Sequence, residues 1–397
     1  MGRTQPSRGL APAATRKDAR AKKAKATINK VIPSLLSTHP RARAGIAASE
    51  LITPHLLPPP PPFKNPRSNP SSMRIAIRVC DTLTAAHSLL SHYTPHTPST
   101  SPSTPTPTTP EPPPPDLTNR RSLTCILNMA SPLSPGGGFL SGATSQEESL
   151  CMRTTLLPAL RDEFYRLPEL SAIFTPDVLV FRDARASSES ESEDLKKGER
   201  WFVDVVSCAA LRGPEVEGGR YVSGKDRELM RGKMRLVMGV CEAKGVKRVV
   251  LGAWGCGAYG NPVGEVAEAW RGVLRGKGRR WEGVEEVVFA VKDAGMAERF
   301  ASAFGEGLEW EEKEKGVEEE EDGGDADGIR ELEGRIREME LQAEQARSPQ
   351  LKIGLERVLV GLREQLRGEK GEIDRRSEAG SAGDDAESEE DDGGSGS

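Results

Sequence analysis

Apolar and polar positions alternate in two rhythms along the middle of this chain, and the two rhythms take turns. Short apolar runs predict strands at 73–80 (Met-Arg-Ile-Ala-Ile-Arg-Val-Cys), 122–128, 178–181, 202–207, 248–251 and 287–291. Between them the spacing turns helical: 81–90, 146 to about 165, 227–244, 263–274 and a short stretch ending at Phe304. In the third of these, Met230, Met234, Val237 and Val240 fall on one stripe, which reads as core. In the fourth, Val263, Val266, Ala267, Trp270 and Leu274 point inward. Strands and helices in alternation predict an α/β protein, a three-layer α/β/α sandwich around a mostly parallel central sheet.

Outside this core the pattern changes character. Residues 15–52 have helix-like composition interrupted at Pro33 and Pro40, which predicts one helix of about 15 residues and a looser continuation. Pro58 to Pro62 is a polyproline run, 94–116 alternates Pro, Ser and Thr too densely to pack, and 184–200 is a charged insertion. The expected organisation is therefore a basic amino-terminal helical segment with a Pro-rich linker (1–72) and a catalytic-type core (73–305) carrying the insertions. An acidic linker (306–327), a helical coiled-coil segment (328–370) and a disordered acidic tail (371–397) follow. In the coiled-coil segment Ile329, Leu332, Ile336 and Met339 form one seam, and Leu355, Val358, Leu362 and Leu366 form a second after a break at Pro349. The two helices so implied can pair with each other, with a second copy, or with a partner helix.

Composition narrows the picture further. The formal net charge of −5 hides a basic start, with Arg16, Lys17, Arg20, Lys22, Lys23 and Lys25 close together, and an acidic end. The simplest reading of the basic start is the solvated face of a helix; a nucleic-acid contact or nuclear address is the alternative. No run approaches the ~20 apolar residues that a bilayer span needs, and no apolar h-region follows the basic start. Met1-Gly2 lacks the Ser or Thr of a myristoylation signal, because Pro6 stands there. The expectation is a soluble intracellular protein, in cytoplasm and/or nucleus, with no membrane partner. Six scattered cysteines without Cys-x-x-Cys spacing read as reduced, mostly buried thiols. All five histidines precede residue 97, so neither a histidine-based triad nor a metal site is supported in the core. No metal or cofactor is expected.

Two glycine-rich loops carry the chemistry. The first, after the strand ending at Asn128, contains Gly136, Gly137 and Gly138 and leads into a helix opening with Gln146, Glu147 and Glu148. Glycines that accept φ > 0 let a bulky anion approach backbone N–H groups, which is what a diphosphate requires. The adjacent carboxylates cannot bind that anion, so they imply acid chemistry on a group attached to it, and a sugar is the natural candidate. A structural alternative is that they merely complement the helix amino end. The second loop, 251–262, includes Gly255, Cys256, Gly257, Ala258, Tyr259 and Gly260. Its Gly-x-Gly-x-x-Gly spacing suits a dinucleotide fold, yet the acidic residue expected about 20 positions on is displaced to Asp293 and only one further strand remains. Two anion-cradling loops at strand ends fit a ligand gripped by its diphosphate from both sides.

With Gly136-Gly137-Gly138, seven residues, then Gln146-Glu147-Glu148, and with Gly-Ala-Trp-Gly-Cys-Gly-Ala-Tyr-Gly-Asn over 252–261, the chain resembles the microbial-type poly(ADP-ribose) glycohydrolase family of the macrodomain superfamily. The resemblance runs from about Arg16 to Phe304; the insertions and the carboxyl extension depart from the pattern. It implies a macrodomain-like fold and a ligand that is ADP-ribose or poly(ADP-ribose), free or attached to protein. The implied activity is hydrolysis of the ribose–ribose O-glycosidic bond, with a non-catalytic ADP-ribose-binding module or a mono-ADP-ribosyl hydrolase as alternatives. It further implies Glu148 as catalytic acid, Glu147 on a ribose hydroxyl, Asn128 at the terminal ribose, and Gly136 to Gly138 with Gly255, Cys256, Gly257, Ala258 and Tyr259 at the diphosphate. The Tyr259 ring would lie on the ribose, Gln146 is counted among the binding residues, and Asp81 resembles the adenine-reading acid. Cys256 is read more readily as packing than as thiol chemistry.

Overall fold

The computed structural model describes residues 13–58, 73–91, 124–182, 194–276 and 281–311, with Ile336, 359–363 and 366–367 beyond them. The chain divides into two compact units, Met1–Lys313 and Glu314–Ser397. The first unit opens with α1 (Ala13–Ala26), a π-helical turn (Thr27–Val31), α2 (Ile32–Thr38), α3 (Pro40–Ala47) and β1 (Glu50–Ile52). Then come β2 (Arg74–Arg78), α4 (Thr82–Ser91), β3 (Thr124–Met129), α5 (Gln146–Arg153), β4 (Ala172–Val180) and β5 (Trp201–Cys208). A small hairpin of β6 (Val216–Glu217) and β7 (Arg220–Tyr221) precedes α6 (Gly224–Ala243) and β8 (Arg248–Leu251). The unit closes with α7 (Val263–Arg275), β9 (Glu286–Ala290), α8 (Ala294–Phe304) and β10 (Glu309–Glu311).

Eight strands form one sheet in the order β1-β4-β5-β3-β8-β9-β2-β10. From β5 to β10 every neighbouring pair is parallel, whereas β4 runs antiparallel to both β1 and β5. One face buries the α6 stripe (Met230, Met234, Val237, Val240) with Trp270 of α7 and Phe300 and Phe304 of α8. The other buries Leu83, Ala86 and Leu89 of α4 and Leu150 of α5. This is the expected three-layer α/β/α sandwich with a mostly parallel sheet, and it is macrodomain-like.

Several expected elements differ, for reasons visible in the contacts. Pro33 does not end the amino-terminal helix. Pro33 has no N–H and its ring crowds the carbonyl four residues back, and the helix widens just before it, with the Ile32 N–H bonding Thr27 O five residues back. The helix expected to run to about 165 ends at Arg153. Thr155 leaves the helix because its N–H bonds Leu179 O at 3.0 Å and its hydroxyl accepts from Leu179 N at 3.0 Å, so β4 claims the chain. The strand expected at 178–181 is β4, nine residues long, with a bulge between Thr175 and Val178 where Asp177 takes φ +54°. Pro176 and Asp177 mask the strand pattern, and the bulge is braced from α3 by Arg41 on Asp177 at 2.8 Å. β1, inside the span read as helix, pairs antiparallel with β4.

The expected boundaries at 72 and 305 therefore fall inside one compact unit. Glu309 to Glu311, read as linker, form β10 beside β2, with Glu311 paired to Arg74 at 2.5 Å and also to Arg78. A chain ending at Lys313 is expected to melt like the full-length protein. One ending at Leu308 should melt several degrees lower, because the Arg78 side chain, 15% exposed, loses its carboxylate. Thermal unfolding of the two truncations checks this, and equal melting points would mean that β10 contributes nothing. In the second unit, Ile336 and Leu359 are buried in one apolar cluster with Leu362 and Leu366 packed on it. Ile336 of the first seam thus meets Leu362 and Leu366 of the second; the other first-seam residues, the insertion at 94–116, residues 184–193 of the second insertion and the tail 371–397 lie outside the described residues.

Candidate active site

The crevice is built at the carboxyl ends of the parallel strands, with β3 and α5 at its centre. Gln146, the first residue of α5, stitches that helix to β3: its Oε1 accepts from Met129 N at 2.8 Å, while its Nε2 donates to Leu127 O at 2.7 Å and Thr82 Oγ1 at 3.2 Å. Both amide hydrogens are used. Gln146 is thus a fastener between strand and helix. The fastening matters because it sets the next two residues.

Glu147 and Glu148 are 2% and 7% exposed. Glu147 Oε2 accepts from Ser131 N at 2.8 Å and its Oε1 from Asn128 Nδ2 at 3.3 Å. Glu148 Oε1 accepts from Gly138 N at 2.8 Å, and its other oxygen accepts from the Ser145 hydroxyl. Ser145 is the N-cap residue, yet its side chain makes no cap bond to the helix backbone. The partial positive charge of the α5 amino end is therefore directed at the carboxylates and the loop above them. Successive helical residues point about 100° apart. Even so, the two long side chains converge: a Cβ on Gly137 would lie 2.8 Å from Glu148 Oε1 and 3.0 Å from Glu147 Oε2. Gly137 has φ +55° and Gly136 φ +67°, both in the left-handed region. The triple glycine serves first to let backbone lie on the carboxylates, a role that the sequence did not reveal.

Burial is the main cause that pushes the Glu147 carboxyl up to about 8; the charge of Glu148 adds to it, and hydrogen bonds from Ser131 and Asn128 oppose it. Between about pH 4.5 and 8 the folded protein therefore keeps a proton that the unfolded chain has released, so stability falls as pH rises through that window. The slope approaches about 1.4 kcal/mol per pH unit. Glu147→Gln is expected to remove it, so that the variant gains on the parent from pH 5 to 8 and no further above. Parallel melting curves across this range would show that Glu147 titrates normally.

Asn128 is fully buried, its Nδ2 bonded also to Ser207 Oγ at 3.0 Å, and its Oδ1 has no partner. The Tyr165 hydroxyl is buried without a partner too, and burial, followed by the Glu147 charge, raises its pKa. Tyr165 and Ser131 were not singled out from sequence. Tyr165 lies where the spacing predicts a helix end, and Ser131, which holds Glu147 through its backbone N–H and bonds Tyr259 through its side chain, belongs to no motif.

The second loop is held from beneath by Asn261. Its Nδ2 donates to Leu211 O at 2.8 Å and Gly255 O at 3.1 Å, and its Oδ1 accepts from the Tyr221 hydroxyl at 2.8 Å. Gly255 (φ +76°) packs so closely that a Cβ would meet Asn261 Nδ2 and lie 2.7 Å from Ala210 Cβ. Gly257 and Ala258 are exposed, and Gly257 has open space where a Cβ would stand. Cys256 is buried, its thiol 3.9 Å from Trp254 O. Tyr259 is half-buried; burial and then the Glu147 charge push its hydroxyl up, which places it at the carboxylate end of the crevice.

Asp81 lies past the end of β2, two strands from β8. Its Oδ1 accepts from Leu83 N at 2.9 Å, Thr84 N at 3.3 Å and Arg153 Nη1 at 2.8 Å, which caps α4 and ties it to the far end of α5. Burial opposes ionisation of Asp81, but the Arg153 charge and these hydrogen bonds hold its carboxyl below the usual range. Asp81 thus braces the junction of α4 and α5 with its side chain still 24% exposed, and Arg153 is a partner that sequence reasoning missed. A cavity of about 410 Å³ between Pro132, Leu167, Arg212 and Lys233 adjoins the second loop through Ala210 and Leu211, and none of the expected site residues lines it.

A macrodomain-like sandwich with two glycine loops and a carboxylate pair at one crevice defines the class of protein. Residues 40–183 match the family model of the microbial-type PARG catalytic domain, a span that includes the triple glycine and Gln146 to Glu148 but ends before the second loop. The solved structure of poly(ADP-ribose) glycohydrolase from Thermomonospora curvata is similar at 26% identity and TM-score 0.53, covering 72% of this chain and 98% of that one. The same enzyme bound to the inhibitor ADP-HPD is similar at 26% identity and TM-score 0.52, with the same coverage. No curated protein matches.

Proposed function

We propose that this chain is a poly(ADP-ribose) glycohydrolase, hydrolysing the ribose–ribose O-glycosidic bond and releasing ADP-ribose. The observation that carries the reading is the convergence of Glu147 and Glu148 on Gly137 at the amino end of α5. A module that only bound ADP-ribose would have no use for two buried carboxyls at the sugar end of a phosphate cradle.

In this reading the backbone of the two loops and the amino end of α5 hold the diphosphate. The ribose lies between Tyr259 and the Asn128–Glu147 pair, where the unpartnered Asn128 Oδ1 accepts a ribose hydroxyl. Glu147, held neutral by burial, contributes hydrogen bonding without adding a charge against the phosphates. Glu148, positioned by Gly138 N–H and the Ser145 hydroxyl, carries a proton into the reaction, gives it to the leaving oxygen, and as the resulting carboxylate takes one back from the attacking water. The bound diphosphate stabilises the oxocarbenium-like transition state, and water completes hydrolysis. Purified protein incubated with labelled polymer and, separately, with a mono-ADP-ribosylated protein tests this. Release of ADP-ribose from the polymer is expected; binding without release would leave a recognition module, and release from the mono-modified protein alone would reassign the substrate.

A further inference from the structure

The reaction centre does not account for the charge of the amino-terminal helix. α1 carries Arg16, Lys17, Arg20, Lys22, Lys23 and Lys25 against the single acid Asp18, in a chain whose formal net charge is −5. Arg16, Arg20 and Lys23 follow the i, i+4, i+7 spacing of one helical stripe, while Lys17, Lys22 and Lys25 are exposed. The helix is docked on the signature loop itself. Arg20 Nε donates to Gly142 O at 2.9 Å, the Lys17 carbonyl covers Gly142 where a Cβ would stand, and Ala24 and Ile28 pack with Phe139 and Cys151. Gly142 takes φ +80°, so loop and helix fit only with glycine there. The same loop, from Gly138 to Ser145, clamps Glu148. One loop's thickness therefore separates a dense cationic helix from the proposed acid.

We propose that α1 is a docking surface for the part of an ADP-ribose polymer that lies outside the crevice. This rests on the reading of the chain as a polymer hydrolase. Each further unit carries a doubly charged diphosphate, and exposed lysines on flexible stems suit a polyanion whose units need no individual recognition. The surface raises affinity for long chains and leaves the chemical step unchanged.

The test separates binding from chemistry. In a full-length Glu148→Gln background, fluorescence anisotropy measures affinity for polymer of about 20 units and for ADP-ribose, with and without Lys17→Glu, Lys22→Glu and Lys25→Glu. The triple reversal is expected to weaken long-polymer binding about tenfold or more, to flatten its salt dependence, and to leave ADP-ribose affinity within about twofold. The matching triple Lys→Arg variant should retain polymer affinity. Unchanged polymer affinity overturns the proposal, as does equal loss for ADP-ribose, which would mean that the helix only supports the loop. Duplex DNA competing as well as polymer at equal charge also overturns it, in favour of a nucleic-acid surface. Hydrolysis by the chain with native Glu148 reports on the polymer-hydrolase reading separately: no cleavage alongside charge-dependent polymer binding would sink that reading and keep this one.

Discussion

Glu148→Ala is expected to lower turnover of poly(ADP-ribose) by about 10²- to 10⁴-fold, the range of a lost general acid, while ADP-ribose affinity stays within a few-fold. The separation follows from where the carboxylate acts. Its oxygens are held by Gly138 N–H and Ser145 on the loop side of α5, whereas Glu147 faces Asn128 and Ser131. In the proposed reaction, removing Glu148 takes away proton donation to the leaving oxygen, an interaction that forms in the transition state, and leaves the proposed diphosphate cradle in place. Single-turnover kinetics with labelled polymer and calorimetry with ADP-ribose measure the two quantities. Equal losses in both would assign Glu148 to binding.

Gly137→Val is expected to abolish turnover and ADP-ribose binding together in a protein that still folds. Two costs add at this position. A β-branched residue is strained at φ +55°, and its Cβ would lie 2.8 Å from Glu148 Oε1 and 3.0 Å from Glu147 Oε2. Either the loop lifts, which opens the phosphate cradle, or the carboxylates swing away and lose their clamps. Gly257→Ala in the second loop is the contrast: no protein atom stands within 4 Å of its missing Cβ, so an undisturbed fold is expected and any loss of binding there reports contact with the ligand alone. Binding calorimetry with circular dichroism on both variants decides the matter. Undiminished binding by the valine variant would reduce the triple glycine to a turn.

What the sequence disclosed was governed by local rules. The stripes of α6 and α7 and the apolar runs of β3, β8 and β9 repeat at the periods that helices and buried strands impose, so the sandwich could be read without coordinates. The two glycine loops and the Glu147–Glu148 pair were legible for the same reason: each lies within a few residues of a strand end, where chain direction already fixes the chemistry. Asp81 was less so, because its environment is set by Arg153, a residue far away in sequence.

The sequence by itself determined the class of fold, the two loops and the place of the carboxylate pair, since these depend on periodicity and on residues adjacent in the chain. Tertiary structure alone decided that Gln146 fastens α5 to β3 and that Gly137 yields space to two carboxylates. It alone decided that burial raises Glu147 and that α1 lies on the loop clamping Glu148. These are consequences of desolvation and close approach between segments up to 122 positions apart, as Arg20 and Gly142 are. No local pattern encodes which segments meet, because burial and hydrogen bonding are properties of the packed whole.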